Sequence, residues 1–169
     1  MSMPRLYIKA KDLEESDVVK VFDDKGKEVY YLKDDFIATG HRIKIFLAGT
    51  ISECGYVQEK DGGNGRLKFE FAARDKFGTV QRDWMSRFQK YDIAYDEDWV
   101  VKGDAVIWDY SVVTGSIEVM KVESKPYIIP GQALNMTDTY IIDVDSESDV
   151  LISLAFAFSL YALNKYQYQ

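Results

Sequence analysis

The sequence predicts a mainly β chain, a closed antiparallel barrel of about twelve strands that encloses a hydrophobic C-terminal helix. Three observations carry that prediction. Val150 to Leu163 reads VLISLAFAFSLYAL, with no charge and only Ser153 and Ser159 as polar interruptions. A surface helix keeps one polar face; this one has none and must be enclosed on all sides. Residues 1–145 alternate in short apolar and polar runs separated by turn residues, the spacing of sandwiches and barrels. The 12 Tyr, 9 Phe and 3 Trp favour strands over helices. A strand-rich chain followed by a helix without a polar face implies a sheet curled around that helix.

The strands follow in order. Leu6 to Lys11 (LYIKAK) places Leu6, Ile8 and Ala10 on one face. Val18 to Phe22 and Val29 to Leu32 flank Asp23-Asp24-Lys25-Gly26, a hairpin signal. Arg42 to Phe46 sets Ile43 and Ile45 opposite Arg42 and Lys44. Ser52 to Lys60 runs into Asp61-Gly62-Gly63-Asn64-Gly65, the strongest turn in the chain. Arg66 to Phe71 alternates strictly, with Leu67, Phe69 and Phe71 inward, and Asp75 to Gly78 reads as the next turn. Trp84 to Phe88 reads either as a short helical turn or as a bend. Tyr91, Ile93 and Tyr95 share a face, as do Val106, Trp108 and Tyr110. Ile117 to Val122 slips phase between Val119 and Met120, which predicts a bulge there. Lys125 to Thr137, with Pro126, Pro130 and Gly131, reads as a long loop, and Asp138 to Val144 as the last strand.

The helix is expected over about 147–165. Ser146 and Asp149 offer an approximate capping pair. Asp145, Glu147 and Asp149 set negative charge at the positive end of the helix dipole, and Lys165 complements the other end. The apolar run of 14 residues falls short of the roughly 20 that span a bilayer. It therefore reads as a buried helix ahead of a tail anchor. The length of 169 residues fits one domain, 1–169.

The matching order of LYIKAK, VFDDKGKEVYYL (Val21 to Leu32), GHRIKIF, GYVQEK, KYDIAYDEDWVVKGD (Lys90 to Asp104), DYSVV (Asp109 to Val113) and TYIIDV (Thr139 to Val144), closed by the apolar helix, resembles the LURP-one-related family of the tubby-like superfamily. The resemblance runs through the whole chain. It implies a twelve-stranded closed barrel threaded by the C-terminal helix. The segment from Lys125 to Thr137 is longer than that family's usual connection. Tubby-like domains in eukaryotes bind phosphoinositide head groups on a basic outer face, so the resemblance singles out basic residues on strand faces.

Little else in the sequence carries chemistry. The net charge of −7 disfavours nucleic acid, which needs concentrated Lys and Arg, and weakens any broad attraction to anionic membranes. The N-terminal MSMPRLYIKAKD becomes charged before an apolar run develops, unlike a signal peptide. The single Cys54 allows no intrachain disulfide and fits a reducing compartment. We expect a cytoplasmic protein, with peripheral membrane association as the variant to test. Asp143, Asp145, Glu147 and Asp149 have the spacing that opens an EF-hand loop, but Ser148 and Leu154 stand where Gly and Glu are needed. Their reading is a strand end and a helix N-terminus. Asp34-Asp35 and Asp96-Glu97-Asp98 read as solvated turns. His41, the only histidine, cannot build a zinc site with Cys54 unless several carboxylates join, and it is the only ordinary base for a nucleophile. No phosphate-binding, dinucleotide or nucleophile-elbow motif is present in the sequence. Neither an enzymatic activity, a cofactor nor a structural metal is expected.

The remaining candidates are two basic pairs, Arg42 with Lys44 and Arg66 with Lys68, each on one strand face. The sequence thus supports a non-enzymatic binding or scaffold domain of unassigned role that uses its outer surface. Its partner would be a phosphoinositide or other anionic lipid head group, or a protein, through Arg42, Lys44, Arg66 and Lys68. The alternatives are a lipocalin-like carrier of a small apolar ligand and a scramblase-like tail-anchored protein. An occupied barrel would exclude the carrier.

Overall fold

Alternation of apolar and polar residues produces twelve antiparallel strands in one sheet that curls around the helix. The computed structural model describes residues 4–37, 40–83, 85, 90–132 and 136–166, with backbone only at 36 and 37. The strands are β1 (Arg5–Lys9), β2 (Val18–Phe22), β3 (Glu28–Ile37), β4 (Gly40–Leu47), β5 (Glu53–Asp61) and β6 (Leu67–Ala73). They continue as β7 (Lys76–Arg82), β8 (Tyr91–Ala94), β9 (Val100–Asp104), β10 (Asp109–Thr114), β11 (Ile117–Tyr127) and β12 (Thr137–Val144). A short helix α1 (Ala10–Glu15) follows β1, and α2 (Val150–Tyr166) follows β12 after a 3-10 turn at Glu147–Asp149.

Two meanders, β1 to β8 and β9 to β12, are joined where β1 pairs with β12. The ladder is continuous from β8 round to β9, but those two strands, adjacent in the chain, are not hydrogen-bonded to each other. The barrel is therefore nearly closed, with one lengthwise seam. Its edges are blunted in the usual ways. β8 has four residues, and β9 carries Lys102 and a Gly103 at φ +114°.

One face of each strand supplies the barrel wall. Leu6, Ile8, Val21, Leu32, Ile43, Ile45, Val57, Phe69, Phe71, Val80, Val112, Val122 and Ile142 are buried together with α2. The helix is buried on every side, including Ser153 and Ser159, as its missing polar face requires. Ser159 satisfies its hydroxyl by donating to the Phe156 carbonyl at 2.6 Å. The helix leans chiefly on β6, with β5 and β7 beside it. Small residues on the inner face there (Gly55, Ala73, Gly78) leave room for large ones such as Phe71, whose ring lies over Gly78. Aromatic rings fill the space around the helix: Trp108 meets Phe158 edge-on at 5.8 Å, and Trp99, stacked on Phe71 of β6, meets Phe156 at 5.2 Å.

A second, smaller apolar cluster lies outside the barrel. Tyr7, Phe22 and Ile141 point outward from β1, β2 and β12, and Ile129 closes over them. The segment after β11 is thus a strap rather than a free loop. It packs against the β2–β3 turn at Gly26, whose φ of +82° leaves no room for a Cβ beside the Pro130 carbonyl.

Several expectations hold. The bulge falls at Val119, since Val112 pairs with Met120 and Val113 with Glu118, and both Val119 and Met120 are buried. The hairpins at Asp23 to Gly26 and Asp61 to Gly65 are present. Others need correction. The first strand stops at Lys9, and Ala10 opens a helix instead of extending the strand face. The turn after β6 is Arg74-Asp75, with Lys76 to Gly78 already in β7. Val106 does not share a strand face with Trp108 and Tyr110. It lies exposed in the β9–β10 turn, while the other two are buried. Lys125 to Tyr127 and Thr137 are paired strand, which shortens the loop to 128–136. Of Trp84 to Phe88, only Met85 lies within the described residues.

Candidate functional site

The basic residues singled out by sequence are held by strand parity. Ile43 and Ile45 turn inward on β4, so Arg42 and Lys44 point outward. Phe69 and Phe71 do the same for Lys68 on β6. Arg66 sits just ahead of β6 and is exposed. Between the two pairs runs β5, which places β4 and β6 about 10 Å apart. Across it, Arg42 faces Gln58, which faces Glu70, while Lys68 faces Lys60.

Carboxylates are interleaved with these cations. Arg42 Nη2 lies 2.8 Å from Glu53 Oε1, its Nη1 donates to Gln58 Oε1 at 3.2 Å, and its guanidinium stacks 4.2 Å over the Tyr56 ring. Lys44 Nζ is 3.3 Å from Asp35 Oδ2. The Tyr56 hydroxyl donates to Glu70 at 2.6 Å; that bond, then burial, pushes its pKa up. A groove of about 270 Å³ runs over Arg42, Tyr56, Gln58, Lys60, Asp61 and Glu70 and carries both signs of charge. The structure thus brings Arg42 and Lys44 together on the exterior and sets Lys68 two strands away. It pairs Arg42 and Lys44 with acids that an anionic ligand would have to displace.

The chain's one histidine belongs to a different arrangement that the sequence did not reveal. Asp34 on β3 and His41 on β4 stand on the inner side of the barrel rim, where α2 ends. The His41 ring stacks on Tyr166, centroids 3.6 Å apart, and the Tyr166 hydroxyl donates to the Asp34 carboxylate. Asp34 Oδ1 lies 3.7 Å from His41 Nδ1. Burial, then the bond to Asp34, pushes the Tyr166 hydroxyl well above the usual tyrosine range. Cys54 sits at the other end of the β4–β5 ladder. Burial raises the Cys54 thiol pKa and holds it in the inert form. The rim cluster fastens the end of α2 to β3 and β4. Its signal in the sequence was parity: His41 shares the inward face of Ile43.

The acidic series also separates. Asp143 accepts from Arg5 at 2.6 Å, and Asp149 meets Lys76 at 3.3 Å. Among the described residues, no three His, Cys, Asp or Glu side chains converge as a metal site. At the helix N-terminus, Ser146 Oγ accepts from the Ser148 N–H, one residue earlier than the expected capping partner.

Comparisons with known proteins agree with this architecture. A family model described as LURP-one-related matches residues 5–160. The X-ray structure of a protein from Arabidopsis thaliana superposes with a TM-score of 0.57 at 16% identity, covering 97% of this chain and 91% of that one. At that identity the likeness shows the fold alone. No curated protein matches the sequence.

Proposed function

The chain belongs to the LURP-one-related family, and from that premise we propose that it is a non-enzymatic binding or scaffold domain that meets its partner with its exterior. The observation that carries this reading is the filled barrel. Leu154, Ala155, Phe156 and Ala162 have no exposed surface, so the volume a lipocalin-like carrier would keep for its ligand is taken by the chain's own helix. The tail-anchored alternative fares no better. α2 has 17 residues and is enclosed by strands, and no described helix is long and apolar enough to cross a membrane. A structural role for His41, the sole imidazole, is supported by its stacking on Tyr166 at the rim beside the Asp34 carboxylate.

For the exterior partner we place a protein ahead of an anionic lipid. Arg42 and Lys44 are already matched by Glu53 and Asp35, and the net charge of −7 opposes an anionic surface. The free, buried Cys54 supports a cytoplasmic setting. Cosedimentation with vesicles containing phosphatidylinositol bisphosphate tests this ranking. Weak or absent binding is expected; any that occurs should fall with added salt and vanish in Arg42→Glu/Lys44→Glu. Tight binding that ignores both salt and those changes would overturn it. Native mass spectrometry of the purified chain should show no retained apolar ligand; a stoichiometric one would restore the carrier.

A further inference from the structure

At the end of the barrel where α2 finishes, α1 lies across the mouth and leaves a hollow of about 240 Å³. Three aromatic residues line it: Trp108, Tyr140 and Tyr161. Trp108 and Tyr140 are stacked at 4.2 Å with planes 7° apart, and the Tyr161 ring is tilted 43° to Trp108 at 6.0 Å. Glu14 and Asn164 supply polar atoms at the rim. Glu14 and Tyr140 line the hollow together; burial first, and then that carboxylate, raises the Tyr140 hydroxyl pKa.

Two further facts bear on what the hollow accepts. Trp108 holds φ at +56°, a left-handed conformation unusual for a bulky residue, and from there its indole reaches the Tyr140 stack. The Tyr161 ring already attracts a cation: Lys165 Nζ sits 5.4 Å from its centroid. Lys165 is the only base among the residues that line this hollow.

We propose that this hollow is a binding site for a small organic cation, a quaternary or methylated ammonium. Its methyl groups would lie against the half-buried Tyr140 and Tyr161 rings, with the buried Trp108 stacked behind Tyr140, and its charge would be balanced by Glu14. Aromatic faces attract such cations through their quadrupoles, and methylated ammonium loses less hydration on entering than a bare one. Metal ions are poorly served, because the rings offer no lone-pair ligands. A phosphate-bearing headgroup is disfavoured by the same Glu14 that favours the ammonium. The site is open at the barrel's end, so it needs no space inside the barrel. A failure here would leave the exterior-surface reading intact, because that reading depends on the filled interior alone.

The test is a titration of the full chain with choline, followed by the indole N–H resonance of Trp108 in NMR spectra. Saturable binding is expected. Its neutral isostere, 3,3-dimethylbutan-1-ol, should bind roughly fivefold more weakly or worse, the loss of a cation–π contribution. Phosphocholine should also bind more weakly than choline. Glu14 and Lys165 are exposed, so their variants keep the fold. Glu14→Gln should weaken choline severalfold. Lys165→Gln should tighten it, because it frees the Tyr161 face and removes a like charge; a merely structural lysine would not give that gain. Absence of saturation, equal binding of the isostere, tighter binding of phosphocholine, or no gain in Lys165→Gln would each overturn the proposal.

Discussion

If the helix is the core of the barrel, the most informative single change is Phe156→Ala. Phe156 has no exposed surface and meets Phe71 at 5.1 Å and Trp99 at 5.2 Å, both edge-on. Removing the ring forfeits about 2 kcal/mol of transfer free energy. The void left, on the order of 100 Å³, adds about 2.4 kcal/mol at 24 cal/mol per Å³ if the walls do not collapse. The strands are tied to their neighbours by ladders on both sides, so collapse is limited. A loss of about 4 kcal/mol follows, a large part of the roughly 5–15 kcal/mol that holds a domain together. In a domain of this size it corresponds to a fall in Tm of about 8–16 °C. Urea unfolding followed by tryptophan fluorescence measures it, with Phe77→Ala as the control. Phe77 is 65% exposed on the outside of β7 and should cost less than about 0.5 kcal/mol. A Phe156→Ala loss below about 1 kcal/mol, or one equal to the control, would refute the reasoning.

Three further outcomes are expected. Deleting Asp149 to Gln169 should abolish soluble cooperative folding, and Ala157→Asp, at a position 1% exposed, should cost several kcal/mol by burying an unpaired charge; a normal melt in either contradicts the enclosed helix. Gly26→Ala should cost about 1–3 kcal/mol in urea titrations, because its Cβ would run into the Pro130 carbonyl of the strap. Gly115→Ala, at φ +60° in open space, should cost only the backbone penalty of about 1 kcal/mol. Tyr110 is fully buried, its hydroxyl has no hydrogen-bond partner, and burial raises its pKa far above 10. The unfolded chain therefore loses that proton first, so stability is intact below about pH 10 and falls above it by up to about 1.4 kcal/mol per pH unit per such tyrosine. Tyr110→Phe should be neutral or slightly stabilising at pH 7 and should shallow the alkaline decline. Tyr95, pushed up to about 12 by burial and nearby acids, and Tyr166 keep part of it, with smaller shares from the other tyrosines whose pKa is raised, Tyr56 and Tyr140 among them. Stability curves from pH 7 to 12 decide the point.

What could be read from the sequence followed from patterns with one physical solution. A helix without a polar side has to be surrounded, and the slip of apolar phase between Val119 and Met120 marked the bulge that the ladder shows there. Features that depend on several forces were hidden. The helix α1 has six residues and no side-chain cap, and its first residue continues the alternation of the strand before it. Val106, Trp108 and Tyr110 alternate as a strand would, but Val106 and a left-handed Trp108 lie in the β9–β10 turn and only Tyr110 is in a strand. Asp34-Asp35 reads as a solvated pair; in the ladder one points in to Tyr166 and the other out to Lys44. The basic face shows the same limit. Parity reveals that Arg42 and Lys44 point outward, but only register reveals that Glu53 and Asp35 meet them there.

The seam between β8 and β9 bears on how wall and rod come together. All twelve strands precede α2 in the chain and β12 tethers its first turn, so a ring sealed by hydrogen bonds would oblige the helix to enter end-on, dragging its last turn, with Asn164 and Lys165, through a greasy lumen. A wall slit along its length removes that requirement. The two meanders meet only through β1 and β12, and they can fold like the covers of a book around a spine that is already helical. Assembly is then lateral, no segment is threaded, and the unzipped edge marks where the book shuts.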